Sequence, residues 1–251
     1  MLLEIAVTSS RGVAIAAQEG ADRVELTTAL ELGGLTPSQG LMESGVEAAG
    51  GAVEVHPLIR CRPGDFLYSD EELSLMEREV RSLMSQGARG VVLGALTPGG
   101  TVDSPALLRL SAAAREVNAE AELTLHRAID QVQDAWHALD AVMELGFTRV
   151  LSSGQQATVS AGLGRLQEMR RHVEGRIQIM AGGGLALSDI PAVRSAGLDA
   201  VHLSAKKVVS TARGEAVSLG AADGADPTAY LVTDADVVRA ARLALGDGAA
   251  V

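Results

Sequence analysis

The chain has 251 residues, 47% of them hydrophobic, with 28 glycines and 7 prolines, enough to bury one large core or two modest ones. A net charge of -11 opposes general affinity for nucleic acid or an anionic membrane. One cysteine, Cys61, excludes an internal disulfide or a multi-cysteine metal site, and no run approaches the ~20 apolar residues of a membrane span.

The first strand is expected near 2–6, where Glu4 breaks the apolar run, so the opening residues do not read as a secretory leader. The expectation is a cytoplasmic protein. Strands follow near 22–26, 53–59, 90–95, 121–126, 148–152, 177–181 and 200–204. Helices are expected near 10–19, 38–49, 70–86, 104–117, 132–145, 158–173, 188–196 and 234–246. Gly20, Gly87, Gly146 and Gly197 each stand four residues before a Val or, in the last case, at the same spacing in G-L-D-A-V, and close helices before strands. Strict alternation at this length predicts a single-domain α/β protein over 1–251, an eight-stranded parallel (β/α)8 barrel, with 205–232 a long loop after the eighth strand. A doubly wound open sheet is the runner-up, although A-V-T-S-S-R-G at 6–12 is a poor dinucleotide-binding turn.

In a barrel the strand C-termini share one mouth, and the polar residues sort by that rule. Glu25 closes the second strand. V-E-V-H-P-L-I-R-C-R-P-G-D-F-L-Y at 53–68 supplies His56, Arg60 and Arg62, and L-T-L-H-R-A-I-D at 123–130 supplies His126, Arg127 and Asp130. Ser153 follows the sixth strand, Gly182 and Gly183 open the turn after the seventh, and His202 and Ser204 lie on the eighth.

Arg23, Arg60, Arg62 and Arg127 are expected to converge on a small anionic ligand, with Ser153, Ser204 and the Gly182–Gly183 backbone as further donors. The competing reading pairs each arginine with Glu25, Asp65 or Asp130 in a structural network. Glu25, His126 and Asp130 are the expected acid and base groups. His56, His126 and His202, with Glu25, are a candidate metal set without a compact local signature. Cys61 between two arginines reads as a lowered-pKa thiol if it faces the mouth, or as a small packed residue. Phe66 and Tyr68 read as a binding wall or as anchors of their loop.

Together R-V-E-L at 23–26, G-G-L-T-P-S at 33–38, H-P-L-I-R at 56–60, G-D-F-L-Y-S at 64–69, H-R-A-I-D at 126–130, R-V-L-S-S-G-Q at 149–155, I-M-A-G-G-G at 179–184 and V-H-L-S-A at 201–205 resemble the CutC family. That resemblance implies a barrel, a cytoplasmic location, self-association, and a part in copper homeostasis with copper ion binding. Family members with proposed copper ligands carry cysteines in a stretch like E-I-C-C-Y-S; here it reads E-I-A-V-T-S, with Ala6 and Val7 at those places. The alternative expectation is an enzyme acting on a small anionic substrate, phosphorylated compounds included, by acid and base chemistry at the mouth, with lyase, isomerase and hydrolase reactions all open.

Overall fold

The computed structural model of the chain describes residues 1–210, 226 and 228–246. Eight parallel strands alternate with helices: β1 (Leu2–Val7), β2 (Arg23–Leu26), β3 (Glu54–Pro57), β4 (Gly90–Leu93), β5 (Glu122–Leu125), β6 (Arg149–Ser152), β7 (Gln178–Gly182) and β8 (Ala200–Leu203). They pair in the order β3-β2-β1-β8-β7-β6-β5-β4. The remaining seam, between β3 and β4, is held by Arg89 N–H to the Val55 carbonyl at 3.1 Å and Ile59 N–H to the Val92 carbonyl at 2.8 Å. The expected (β/α)8 barrel is the fold.

The helices are α1 (Ser10–Gln18), α2 (Gln39–Ala49), α3 (Asp70–Ser85), α4 (Ser104–Val117), α5 (Ala135–Glu144), α6 (Val159–His172), α7 (Ile190–Ser195) and α8 (Ala235–Leu245). Their starts are written in side chains. Ser69 and Glu72 form a capping box on α3, and Asp134 accepts from the N–H groups of Trp136 and His137. That cap explains why the fifth helix begins at Ala135 and not near 132; residues Arg127–Gln131 form a 3-10 turn instead. The glycine joints behave as expected, with φ of 82° at Gly20, 102° at Gly87, 73° at Gly146 and 74° at Gly197.

The period-two pattern of each strand sends one set of side chains to the helices and the other into the barrel. Leu3, Ile5, Val24, Leu26, Val91, Leu93, Leu123, Leu125 and Val150 join the helix-facing core.

The segment 205–232 departs from the expected loop. Lys206–Ser210 and Ala229–Thr233 form an antiparallel ribbon, β9 and β10, with Val208 opposite Leu231. Both runs are rich in β-branched or aromatic residues, and the adjacent lysines hide the alternation. Residues 211–225 and 227 of that segment lie outside the described residues.

Candidate functional site

The inward face of the barrel is polar. Glu4, fully buried on β1, accepts from Arg23 Nε on β2, and its other oxygen lies 2.7 Å from His202 Nδ1 on β8. Arg23 also donates to Met180 Sδ at 3.6 Å. Burial alone would push the Glu4 carboxyl up, but the Arg23 guanidinium and His202 hold it well below the usual carboxylate range. On the other side Arg149 donates to Glu122, to Thr124 Oγ1 at 3.0 Å and to Gln178 Oε1 at 3.1 Å. Buried charges persist here because each has a partner. Arg23 is thus part of the interior network and lines neither compartment of the mouth, and its carboxylate partner is Glu4 and not the Glu25 of the structural-network reading.

Above this layer the strand C-termini enclose a cavity of about 130 Å³ lined by Ala6, Glu25, Arg60, Phe66, His126 and His202, among others. It adjoins a wider cleft of about 480 Å³ bordered by Gly183, Gly184 and Lys206, and the two share Leu30, Arg127, His202 and Ser204. Four elements of the expected site thus meet: Glu25, Arg60, His126 with Arg127, and the β7–β8 turns.

Their chemistry differs residue by residue. Glu25 is buried, and desolvation raises its carboxyl to about 7, with neighbouring Glu4 adding to the rise against His202 and Arg23. Such a group changes protonation near neutrality. His126 is pushed down to about 3 by burial and by the Arg60 charge. Its Nδ1 accepts the Ala128 N–H at 3.1 Å, so the neutral ring carries its proton on Nε2, which is buried and has no partner. The ring stacks against Phe66 with centroids 4.6 Å apart. Gly94 makes room for it: a Cβ there would stand 2.5 Å from His126 Cε1.

Arg60 carries the positive charge of this cavity. Its guanidinium donates to the carbonyls of Leu32 at 3.1 Å, Gly34 at 3.1 Å and Gly64 at 2.8 Å, and lies over Phe66. None of these partners is a carboxylate, and its Nε is buried without a partner. Arg127 is held by Asp130 at 2.8 Å and Ser153 at 3.0 Å and packs over Gly183, where φ is 102° and a Cβ would fall 2.6 Å from its Cζ.

Other expected site residues have different work. Arg62 is locked on the loop surface by Glu72, Asp65 and the Leu67 carbonyl, outside both compartments. Asp130 accepts from Ser152 Oγ, the Ser153 N–H and Oγ, the Gln155 N–H and Arg127 Nε, which fills the positions a base would need. Ser153, spent on Asp130 and the Gln156 carbonyl, supports Arg127. Gly182 is packed against Leu151 and His202.

The three candidate metal histidines separate. His202 groups with Glu4 and Glu25, His56 groups with Glu54 and Glu122, and His126 is in neither group. Cys61 packs beside the core, and burial, reinforced by Glu72 and Glu79, pushes its thiol up. Phe66 is a wall of the cavity, whereas Tyr68 lies beneath Arg62 with its hydroxyl pushed up to about 12 by burial.

Glu4, Arg149, Glu54 and Glu122 were not picked out by the strand-end rule. The signal is the period-two placement of polar residues inside strands, as in E-V-H at 54–56 and E-L-T at 122–124.

Residues 1–207 match the CutC family. A family protein CutC of Bacteroides fragilis (strain YCH46) is 38% identical over 218 residues, 85% of each chain. The human copper homeostasis protein cutC homolog is 35% identical over 242 residues, covering 95% of this chain and 86% of its own. The crystal structure of the putative copper homeostasis protein CutC from Streptococcus agalactiae superimposes with a TM-score of 0.76 at 27% identity, covering 81% of this chain and 98% of that one.

Proposed function

The chain belongs to the CutC family, and from that premise we propose that it serves copper homeostasis indirectly, as a cytoplasmic barrel enzyme acting on a small anionic, phosphorylated compound. The copper role rests on the names its relatives carry. The enzymatic reading rests on one observation: Arg60 holds a guanidinium charge with no carboxylate partner in a pocket shared with Glu25 and His126. An anion is the partner that charge lacks.

Once an anionic carbonyl compound is seated, Glu25 takes a proton from the carbon beside the carbonyl. The Nε2–H of neutral His126 donates to the oxygen where charge develops. A neutral imidazole suits that role because it donates without presenting a second full positive charge beside Arg60. Gly183, Ser204 and Lys206 border the wider cleft, where a phosphoryl group extending from the reacting carbon fits. Proton transfer next to a carbonyl serves isomerases and lyases alike.

Tightly held Cu(I) does not fit these residues. That ion prefers thiolate and thioether sulfur, and neither donor cluster among the described residues contains sulfur. Ala6 lines the cavity and Val7 joins the helix-facing core, while Met180 Sδ is engaged by Arg23. Among the described residues no helix is long and apolar enough to cross a membrane.

The test is exchange of solvent deuterium into a panel of phosphorylated aldehydes and ketones. At least one should exchange with the wild-type chain, and Glu25→Gln should slow it by roughly 100-fold or more. Absence of exchange from every compound, with no thermal stabilisation by any of them, ends the enzymatic reading.

A further inference from the structure

At the end of the barrel opposite the mouth, three neighbouring strands bring together groups that the mouth does not use. Gly90 on β4 lies in register with Glu122 on β5, and Arg89 bonds across to Val55 beside Glu54 on β3. Gly90 contributes no side chain, and a Cβ there would fall on the Glu122 backbone and 2.8 Å from its Cβ. Glycine at this position is what lets β4 lie this close to Glu122.

His56 lies on β3 with Glu54. It is fully buried, and neither Nδ1 nor Nε2 has a hydrogen-bond partner. Buried polar atoms are normally satisfied, so an imidazole with two unpaired nitrogens marks a missing partner. Its Nε2 is 3.8 Å from Glu54 Oε2, too far for a hydrogen bond, and one donor atom each from Glu54, His56 and Glu122 lie within 4.8 Å of one another. Arg89 Nε stands 3.8 Å from Glu54 Oε1, and the buried Arg149 Nη2 binds Glu122 Oε2. Glu54 Oε2 is the oxygen that approaches His56 Nε2.

We infer that Glu54, His56 and Glu122 form a binding site for a borderline divalent cation of the zinc class at the N-terminal end of the barrel. One imidazole and two carboxylates are a donor set such ions accept. The 3.8 Å between His56 and Glu54 is close to the roughly 3.4 Å separating tetrahedral ligands at about 2.1 Å from a metal. The two glutamates bring two negative charges against the Arg89 and Arg149 guanidinium groups beside them, and the nearby Arg23 is paired with Glu4. Arg149 and Arg89 act as outer partners that aim the carboxylates. Glu54 is 44% exposed, which gives the ion a path from solvent and leaves a fourth position for water. The N-terminal end of such a barrel is where stability is built, so the ion is structural, and its binding adds to the stability of the fold.

The test is equilibrium dialysis of the full chain against Zn2+ followed by metal analysis, with anomalous diffraction from Zn2+-soaked crystals. One Zn2+ per chain is expected, with affinity reduced about tenfold or more in His56→Gln and in Glu122→Gln, and unchanged in Cys61→Ala. The anomalous peak is expected between His56 and the two glutamates, a result that does not depend on any variant folding. Absence of Zn2+ binding overturns the inference. So does an ion lost in His202→Gln but retained in His56→Gln, or a peak at the mouth.

Discussion

At the scale of single residues, neighbouring layers of the barrel interior hold carboxylates driven in opposite directions. Glu4 is held low beside Arg23, while Glu25 is raised by burial to about 7 from 4.5. A carboxyl whose folded pKa is raised binds its proton more tightly in the native state, so its contribution to stability is greatest at low pH. It is lost as pH rises from the unfolded value through about 7. His202, raised by Glu4 and Glu25 against its burial, has the same sign, whereas Glu4 stabilises at neutral pH and loses that contribution in acid. Glu25→Gln removes the Glu25 contribution and, with it, the part of the His202 rise that Glu25 supplies, which has the same sign. Between about pH 5 and about pH 8, urea denaturation should show the variant gaining on wild type by up to ~3 kcal/mol. A pH-independent difference would contradict the raised carboxyl. Glu25, His126 and Arg60 were legible in the sequence because each falls at or just beyond a strand end. For Arg62 and Asp130 the local pairings, with Asp65 and Arg127, are legible in the sequence, while Glu72 and the Ser152–Gln155 turn come from elements that only the folded chain brings near. Glu4 was visible but was read only as a break in an apolar run.

At the scale of elements, β4 shows how glycines at and just beyond the two ends of a strand bear on two sites. Gly90 lets the strand lie close to Glu122, and Gly94, just past the strand end, gives His126 its place against Phe66. Gly94→Ala would set a Cβ 2.5 Å from His126 Cε1 and 2.7 Å from its Nδ1, forcing the ring off the Ala128 N–H. The expected cost is ~1–3 kcal/mol in urea denaturation, accompanied by loss of ligand affinity at the mouth. Unchanged stability and unchanged affinity would mean that the ring position is not fixed by this contact. Most elements were legible, since the glycine joints and the capping residues Ser69 and Asp134 are local signals. The β9–β10 ribbon was not, because its two strands are separated by residues 211–228 and pair only with each other.

At the scale of the whole molecule, an acidic chain with net charge -11 concentrates cationic groups at one end of its barrel: Arg60, Arg127 and Lys206. Under the proposed function, that arrangement is what draws small anions to the mouth and works against a soft monovalent cation there. In a competition titration with a strong chelator, the purified protein should retain no Cu(I), and Cys61→Ala should leave metal content unchanged; one tightly held Cu(I) abolished by that substitution would restore direct copper binding. The most direct test of the anion-binding mouth is calorimetric titration of inorganic phosphate into wild type, Arg60→Ala and Arg62→Ala. Arg60→Ala should weaken binding by ~1.5–3 kcal/mol, the usual worth of a hydrogen bond to a charged group, while Arg62→Ala, whose side chain is held at the loop surface, should bind as wild type does. Equal affinities in wild type and Arg60→Ala, or no phosphate binding by the wild-type chain, would contradict the account.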